Sequence, residues 1–246
     1  MSVFRTALRD LAGAQKTAKG APAYSRFVNR PLGRVFAAAA FTLGRTPNQV
    51  TAVSGLFSFA GIAIIALVEP SWPSAVAVSL CLVLGYALDA ADGQLARLRG
   101  GGSKSGEWLD HMIDAAKISS LHAAVLVCYF RFVQPEQDWR LLVPLGWGIV
   151  AAVMFFAMIL NDQLRRAAGT APTASAAASP LRALLVIPTD YGLLCVAFLL
   201  LGAPVVFEAV YGALFAGNAL FLAAALVKWY REIAALDRAA VERVAA

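Results

Sequence analysis

Asp89 to Asp114 reads DAADGQLARLRGGGSKSGEWLDHMID. Four aspartates, Asp89, Asp92, Asp110 and Asp114, stand here in a chain whose flanking segments are strongly apolar. Ionisable groups beside membrane-length apolar runs are expensive to keep, and they mark function. With about 100° per residue, a helix puts Asp89, Asp92, Gly93, Ala96 and Arg97 on one face. A second helix puts Gly106, Asp110 and Asp114, each four apart, on one face of its own. Between them lies Arg99-Gly100-Gly101-Gly102-Ser103-Lys104, a glycine-rich link that breaks a helix. The two helices are therefore expected to fold back so that their acidic faces meet. Such a cage of oxygen ligands suits a hard divalent cation, Mg²⁺ or Mn²⁺.

Working outward, the whole chain reads as an integral membrane protein. Of its 246 residues 60% are hydrophobic and 15% charged, too little charge for a soluble domain of this length. Apolar runs of about 20 residues, the length that crosses a bilayer core, recur six times. The expected spans are 49–68, 74–97, 107–131, 141–160, 181–201 and 205–229. Cys81, Cys128 and Cys195 lie apart in apolar segments, without metal-ligand spacing, and read as small packing residues.

The net charge is +6, and its placement sets an orientation. Arg5, Arg9, Lys16, Lys19, Arg26, Arg30, Arg34 and Arg45 precede the first span, whereas only Arg131 and Arg140 belong to the opposite side. The positive-inside rule then puts both termini and the aspartate hairpin in the cytoplasm, with the protein multi-pass in the inner (plasma) membrane. Residues 1–23 read as a flexible basic tail. Residues 24–45 interleave Arg26, Asn29, Arg30 and Arg34 with Phe27, Val28, Leu32, Val35 and Phe36, the pattern of an amphipathic helix lying on the membrane surface. Its cations face lipid phosphates, and no aromatic platform supports nucleic-acid binding. The fold class expected is thus all-α: this surface helix, a six-helix membrane domain over 46–230, and a cytoplasmic tail over 231–246.

The string Asp89-x2-Asp92-Gly93-x2-Ala96-Arg97-x8-Gly106-x3-Asp110-x3-Asp114 resembles the complete signature of the CDP-alcohol phosphotransferases, an integral-membrane family. The Thr46-Pro47-Asn48 start of the first span is similar to that family's as well. The resemblance implies transfer of a phospho-alcohol group from a CDP-alcohol to a hydroxyl, with release of CMP. It implies that Asp89, Asp92 and Asp110 are the main ligands of two metal ions, and that Asp114 is the base, with metal contact of its own. Gly93, Ala96 and Gly106 would leave room for cytosine and ribose, Arg97 would clamp a phosphate, and Asn48 and Thr51 would touch the nucleotide. The same small residues also permit tight helix packing, and Asn48 and Thr51 also fit a plain helix cap.

For the donor, CDP-diacylglycerol is expected, in phospholipid biosynthesis, with a small alcohol or sugar phosphate as acceptor. A soluble donor such as CDP-inositol is the alternative within the family. The family also implies a homodimer. A cation transporter would need the carboxylates but not Gly93, Ala96, Arg97 and Gly106. For an anionic acceptor Arg165, Arg166, Arg182 and Lys228 are the candidate cations, or else they set topology. Lys117 would balance the acidic cluster or touch the acceptor. His122 reads as a helix-packing residue, and Asp190 as an acceptor ligand or a partner for Arg182 or Lys228.

Overall fold

The computed structural model describes residues 3–13, 22–135, 137–170 and 187–245. Every regular element among them is helical. In chain order they are α1 (Val3–Gly13), α2 (Arg30–Thr42), α3 (Pro47–Leu67), α4 (Trp72–Leu98), α5 (Lys104–Cys128), α6 (Leu142–Ala167), α7 (Tyr191–Ala197) and α8 (Pro204–Ala245). A wide turn, Ser25–Asn29, leads into α2, and another, Tyr129–Val133, prolongs α5.

Local sequence explains where the helices begin. The Thr46 hydroxyl accepts from Gln49 N at 3.3 Å while the Gln49 side chain accepts from Thr46 N at 3.1 Å. This reciprocal box, with Pro47 in the first turn, starts α3. Ser71 and Ser74 repeat the device ahead of α4, again with a proline in the first turn. The link from α4 to α5 needs positive φ at Gly100 (91°) and Gly101 (134°), which a residue with a Cβ rarely adopts. Ser103 then opens α5 by accepting from Gly106 N at 3.0 Å.

Among the described residues five helical stretches are long and apolar enough to cross a bilayer: Pro47–Leu67, Trp72–Leu98, Lys104–Val133, Asp138–Ala167 and Pro204–Arg238. The expected span over 181–201 lies partly outside the described residues. Its described part, 187–201, holds most of the short apolar helix Tyr191–Gly202. Arg182 also falls outside the described residues.

α4 is the hub. It packs against α3, α2 and the Phe198–Gly202 turn, while α5 packs against α3 and α6, and α6 against α8. Contact with α3 is close because glycines face it. At Gly85 a Cβ would run into Ser58, and the Ser54 hydroxyl donates to Gly85 O at 2.8 Å. The main core gathers Ile65, Val78, Leu82, Val125, Phe198 and Tyr211. Cys128 and Cys195 are buried within it, as small packing residues are expected to be.

The N-terminal region departs from the loose tail expected. Residues 3–13 form α1, whose Ala7 and Leu11 are buried in a second cluster with Ala37, Ala38, Ala91 and Leu95. Phe4, Ala7, Leu8 and Leu11 carry a helical repeat, which the neighbouring Arg5, Arg9 and Asp10 disguise. Residues 14–21 are outside the described set.

Candidate metal centre

Asp89 stands on α4, and Asp110 and Asp114 one turn apart on α5. One oxygen from each lies within 4.8 Å of the others, all three side chains half-buried. Two ligands on opposite sides of a Mg²⁺ stand about 4.2 Å apart. The three carboxylates are thus within a small contraction of sharing one hard cation, and their all-oxygen chemistry fits it.

Lys117, one turn beyond Asp114 and 5% exposed, closes the group. Its amine is 2.8 Å from Asp89 Oδ1 and 2.6 Å from Asp114 Oδ1. Of the two roles foreseen for Lys117, the structure shows the balancing one. A single positive charge among three carboxylates leaves the cluster net negative, which favours a cation.

Asp92 stands apart from these three. It is buried, and its Oδ2 accepts from the Thr51 hydroxyl at 2.6 Å. Thr51 is itself 3% exposed, with its hydroxyl turned to Asp92. Its work here is to orient the Asp92 carboxylate. Asn48, one turn earlier on α3, instead lies over the second half of the signature, where a Cβ on Gly106 would come within 3.0 Å of Asn48 Oδ1. Gly106 therefore makes room for Asn48 in this arrangement, a use of the small residue that its spacing alone did not suggest.

On the α4 face, Gly93 looks into open space, with only Arg97 Nη1 near, at 3.6 Å from where a Cβ would sit. Ala96 and Arg97 are half-buried beside it. The Arg97 Nε is buried without a hydrogen-bond acceptor. A cation so placed beside an open glycine face is suited to a phosphate oxygen.

Next to Asp89, Asp114 and Lys117 opens a cavity of about 340 Å³ between α4, α5, α6, α7 and α8. Its walls include Tyr86, Trp147, Phe155, Thr189 and Asn218. His122 lines it but is occupied, with Nδ1 2.7 Å from the Tyr211 hydroxyl and its ring stacked on Trp147, which bears out a packing residue. Asp190 also lines the cavity, while Lys228 pairs elsewhere and Arg182 lies outside the described residues. It caps α7 by accepting from Gly192 N at 3.2 Å, and it accepts from Tyr24 N at 2.8 Å, fastening the segment before α2 to the membrane helices. The basic side chains are also committed: Arg165 to Glu232, Arg166 to Glu107 at 2.9 Å and Asp162 at 2.6 Å, and Lys228 to Glu232 at 3.5 Å. Sequence reasoning missed Gln94, 2% exposed, whose Nε2 donates to Arg30 O at 3.2 Å and ties α2 to α4. A glutamine inside the signature helix was the available signal.

The fold has solved counterparts. Phosphatidylinositol phosphate synthase of Mycobacterium tuberculosis with CDP-DAG bound is similar with a TM-score of 0.53 and 20% identity, over 82% of this chain and 94% of that one. The same enzyme with manganese and citrate gives 0.50 and 19%, over 79% and 87%. Among curated proteins, archaetidylinositol phosphate synthase of Pyrococcus horikoshii is 37% identical over 94 residues, which are 38% of this chain. The chain spans about half the length of that relative, 47%. Residues 45–230, which contain α3 to α7, most of α8 and all four signature aspartates, match the CDP-alcohol phosphatidyltransferase family model, and the chain belongs to that family.

Proposed function

We propose that this protein transfers a phosphatidyl group from CDP-diacylglycerol to the hydroxyl of a small polar alcohol, releasing CMP, as a step of phospholipid biosynthesis. The observation that carries the reading is the meeting of the Asp89, Asp110 and Asp114 oxygens within 4.8 Å, beside an arginine whose buried Nε lacks an acceptor. The relatives' names support the donor and point to an inositol phosphate as acceptor.

Asp89, Asp110 and Asp114 would hold the metal, with Asp92, steered by Thr51, completing a site for two ions, Mg²⁺ or Mn²⁺. When bound, such ions neutralise the diphosphate and hold it in line for displacement. Arg97 binds a phosphate oxygen through its planar fork. Asp114, which also lines the cavity, takes the proton from the acceptor hydroxyl. The acceptor oxygen then forms a bond to the β-phosphorus, the bond from that phosphorus to the bridging oxygen breaks, and CMP leaves with the bridging oxygen.

The six-span topology follows from the apolar runs, and the cation distribution orients it in the inner membrane with α2 on the cytoplasmic surface and both termini in the cytoplasm. With that orientation the active site faces cytoplasmic acceptors. A homodimer is part of the same reading.

The test is metal-dependent CMP release by purified protein in detergent, with CDP-diacylglycerol or soluble CDP-alcohols against a panel of acceptors. Release from the lipid donor, lost in Asp114→Asn, is expected. Release only from CDP-inositol would replace the donor, and release from no pair would overturn the reading.

A further inference from the structure

We propose that Arg34, with Arg30 one turn before it, extends the Arg97 site into a three-arginine cradle for the donor's diphosphate, so that α2 is part of the substrate site. This rests on the reading of function above. The signature does not include α2.

The cradle follows from how α2 meets α4. Gly33 is buried against α4 so tightly that a Cβ would come within 2.9 Å of Ala90 Cβ and Gln94 Nε2, and 3.1 Å of Ala87 O. Gln94 holds the Arg30 carbonyl, fixing the register, and Ala37 and Ala38 continue the small-residue contact without exposure. Arg30 and Arg34, four apart, share a face of α2. That register sets the Arg30 main chain against Gln94, one turn before Arg97 on α4.

Arg34 Nε is buried with no acceptor, and so is Arg97 Nε, on the facing helix. In each, one guanidinium nitrogen is removed from water without an acceptor, a donor that a ligand oxygen would satisfy. A phosphate or diphosphate matches planar guanidinium forks by charge and by geometry. The cradle also lies beside the right chemistry: Arg97 is one turn from Gly93, whose open face adjoins Asp92. One phosphate would meet the carboxylate-held cations and the other the arginines. Phosphate could also come from bulk anionic lipid at the membrane surface, and the experiment separates the two sources.

The measurement is binding of CDP-diacylglycerol to full-length protein with Mn²⁺, in a neutral detergent free of phospholipid. Arg34→Gln is expected to weaken the donor Kd by about tenfold, the loss of one charge-assisted hydrogen bond. Its melting temperature without donor should stay level or rise, because a buried nitrogen without an acceptor has been removed. Arg34→Lys, which keeps the charge but not the fork, should fall between. An unchanged donor Kd in Arg34→Gln overturns the proposal, and so does a defect that appears only in vesicles containing phosphatidylglycerol. If Arg34→Gln does not fold, a wild-type Kd in Arg34→Lys overturns it. Failure of the wild type to bind CDP-diacylglycerol would instead defeat the functional reading beneath it.

Discussion

The amine of Lys117 stands 2.6 Å from the carboxylate of Asp114, three residues earlier on the same helix, and reaches across to Asp89 on the facing one. It is an internal counterion in the place where a divalent cation would act. Lys117 and the metal therefore compete for the same oxygens. Lys117→Met should tighten Mn²⁺ binding by about tenfold, read by titration of the melting temperature, since a repelling charge is removed. Without metal the same variant should melt several degrees lower, because two partly buried carboxylates lose their partner. Unchanged or weaker Mn²⁺ affinity would refute the competition.

Thr51 fixes Asp92 through one hydroxyl. Thr51→Val keeps the shape and leaves a buried carboxylate oxygen without its donor, which costs about 1–3 kcal/mol. CMP release should fall with it, and Thr51→Ser should restore both. Full activity in Thr51→Val would show that Asp92 needs no such orientation.

At Gly106 an added methyl would press on Asn48 Oδ1 at 3.0 Å and Ser103 Oγ at 3.1 Å. Gly106→Ala is expected to raise the donor KM severalfold, and Asn48→Ala in the same chain to recover part of it. A double-mutant cycle measures this coupling, and strict additivity would mean that the two residues act separately.

Gly85→Ala puts a methyl against Ser58 and against the backbone of Ser54 and Ser58 at 3.1 Å. Overpacking of this kind costs about 1–3 kcal/mol. Loss of thermal stability in the metal-free and the metal-bound protein alike is expected, which distinguishes a packing effect from one on the site.

The aspartates were legible because helical spacing fixes which side chains share a face, and Gly100 and Gly101 mark the reversal that opposes the two faces. Membrane spans were legible for the same local reason, as unbroken apolar length. What sequence could not show was the third dimension of pairing. Thr51 and Asp92 are 41 residues apart, and nothing local says that one hydroxyl turns to the other rather than to a nucleotide. The bonds of Asp190 were hidden for a related reason: the groups it serves are its own helix start and a main-chain amide 166 residues away. α1 escaped notice because its apolar stripe is short and derives its stability from packing against α2 rather than from its own propensity.

α8 is a single helix of 42 residues, about 63 Å long at 1.5 Å per residue, roughly twice the thickness of a bilayer core. Upright in the membrane it would stand out like a mast, with about half its length in water or among head groups. Glu232 on that extension is clasped by Arg165 at the end of α6 and by Lys228, so the mast is braced at its foot. That brace ties the protruding length of α8 to α6, the helix that walls the cavity beside Asp114.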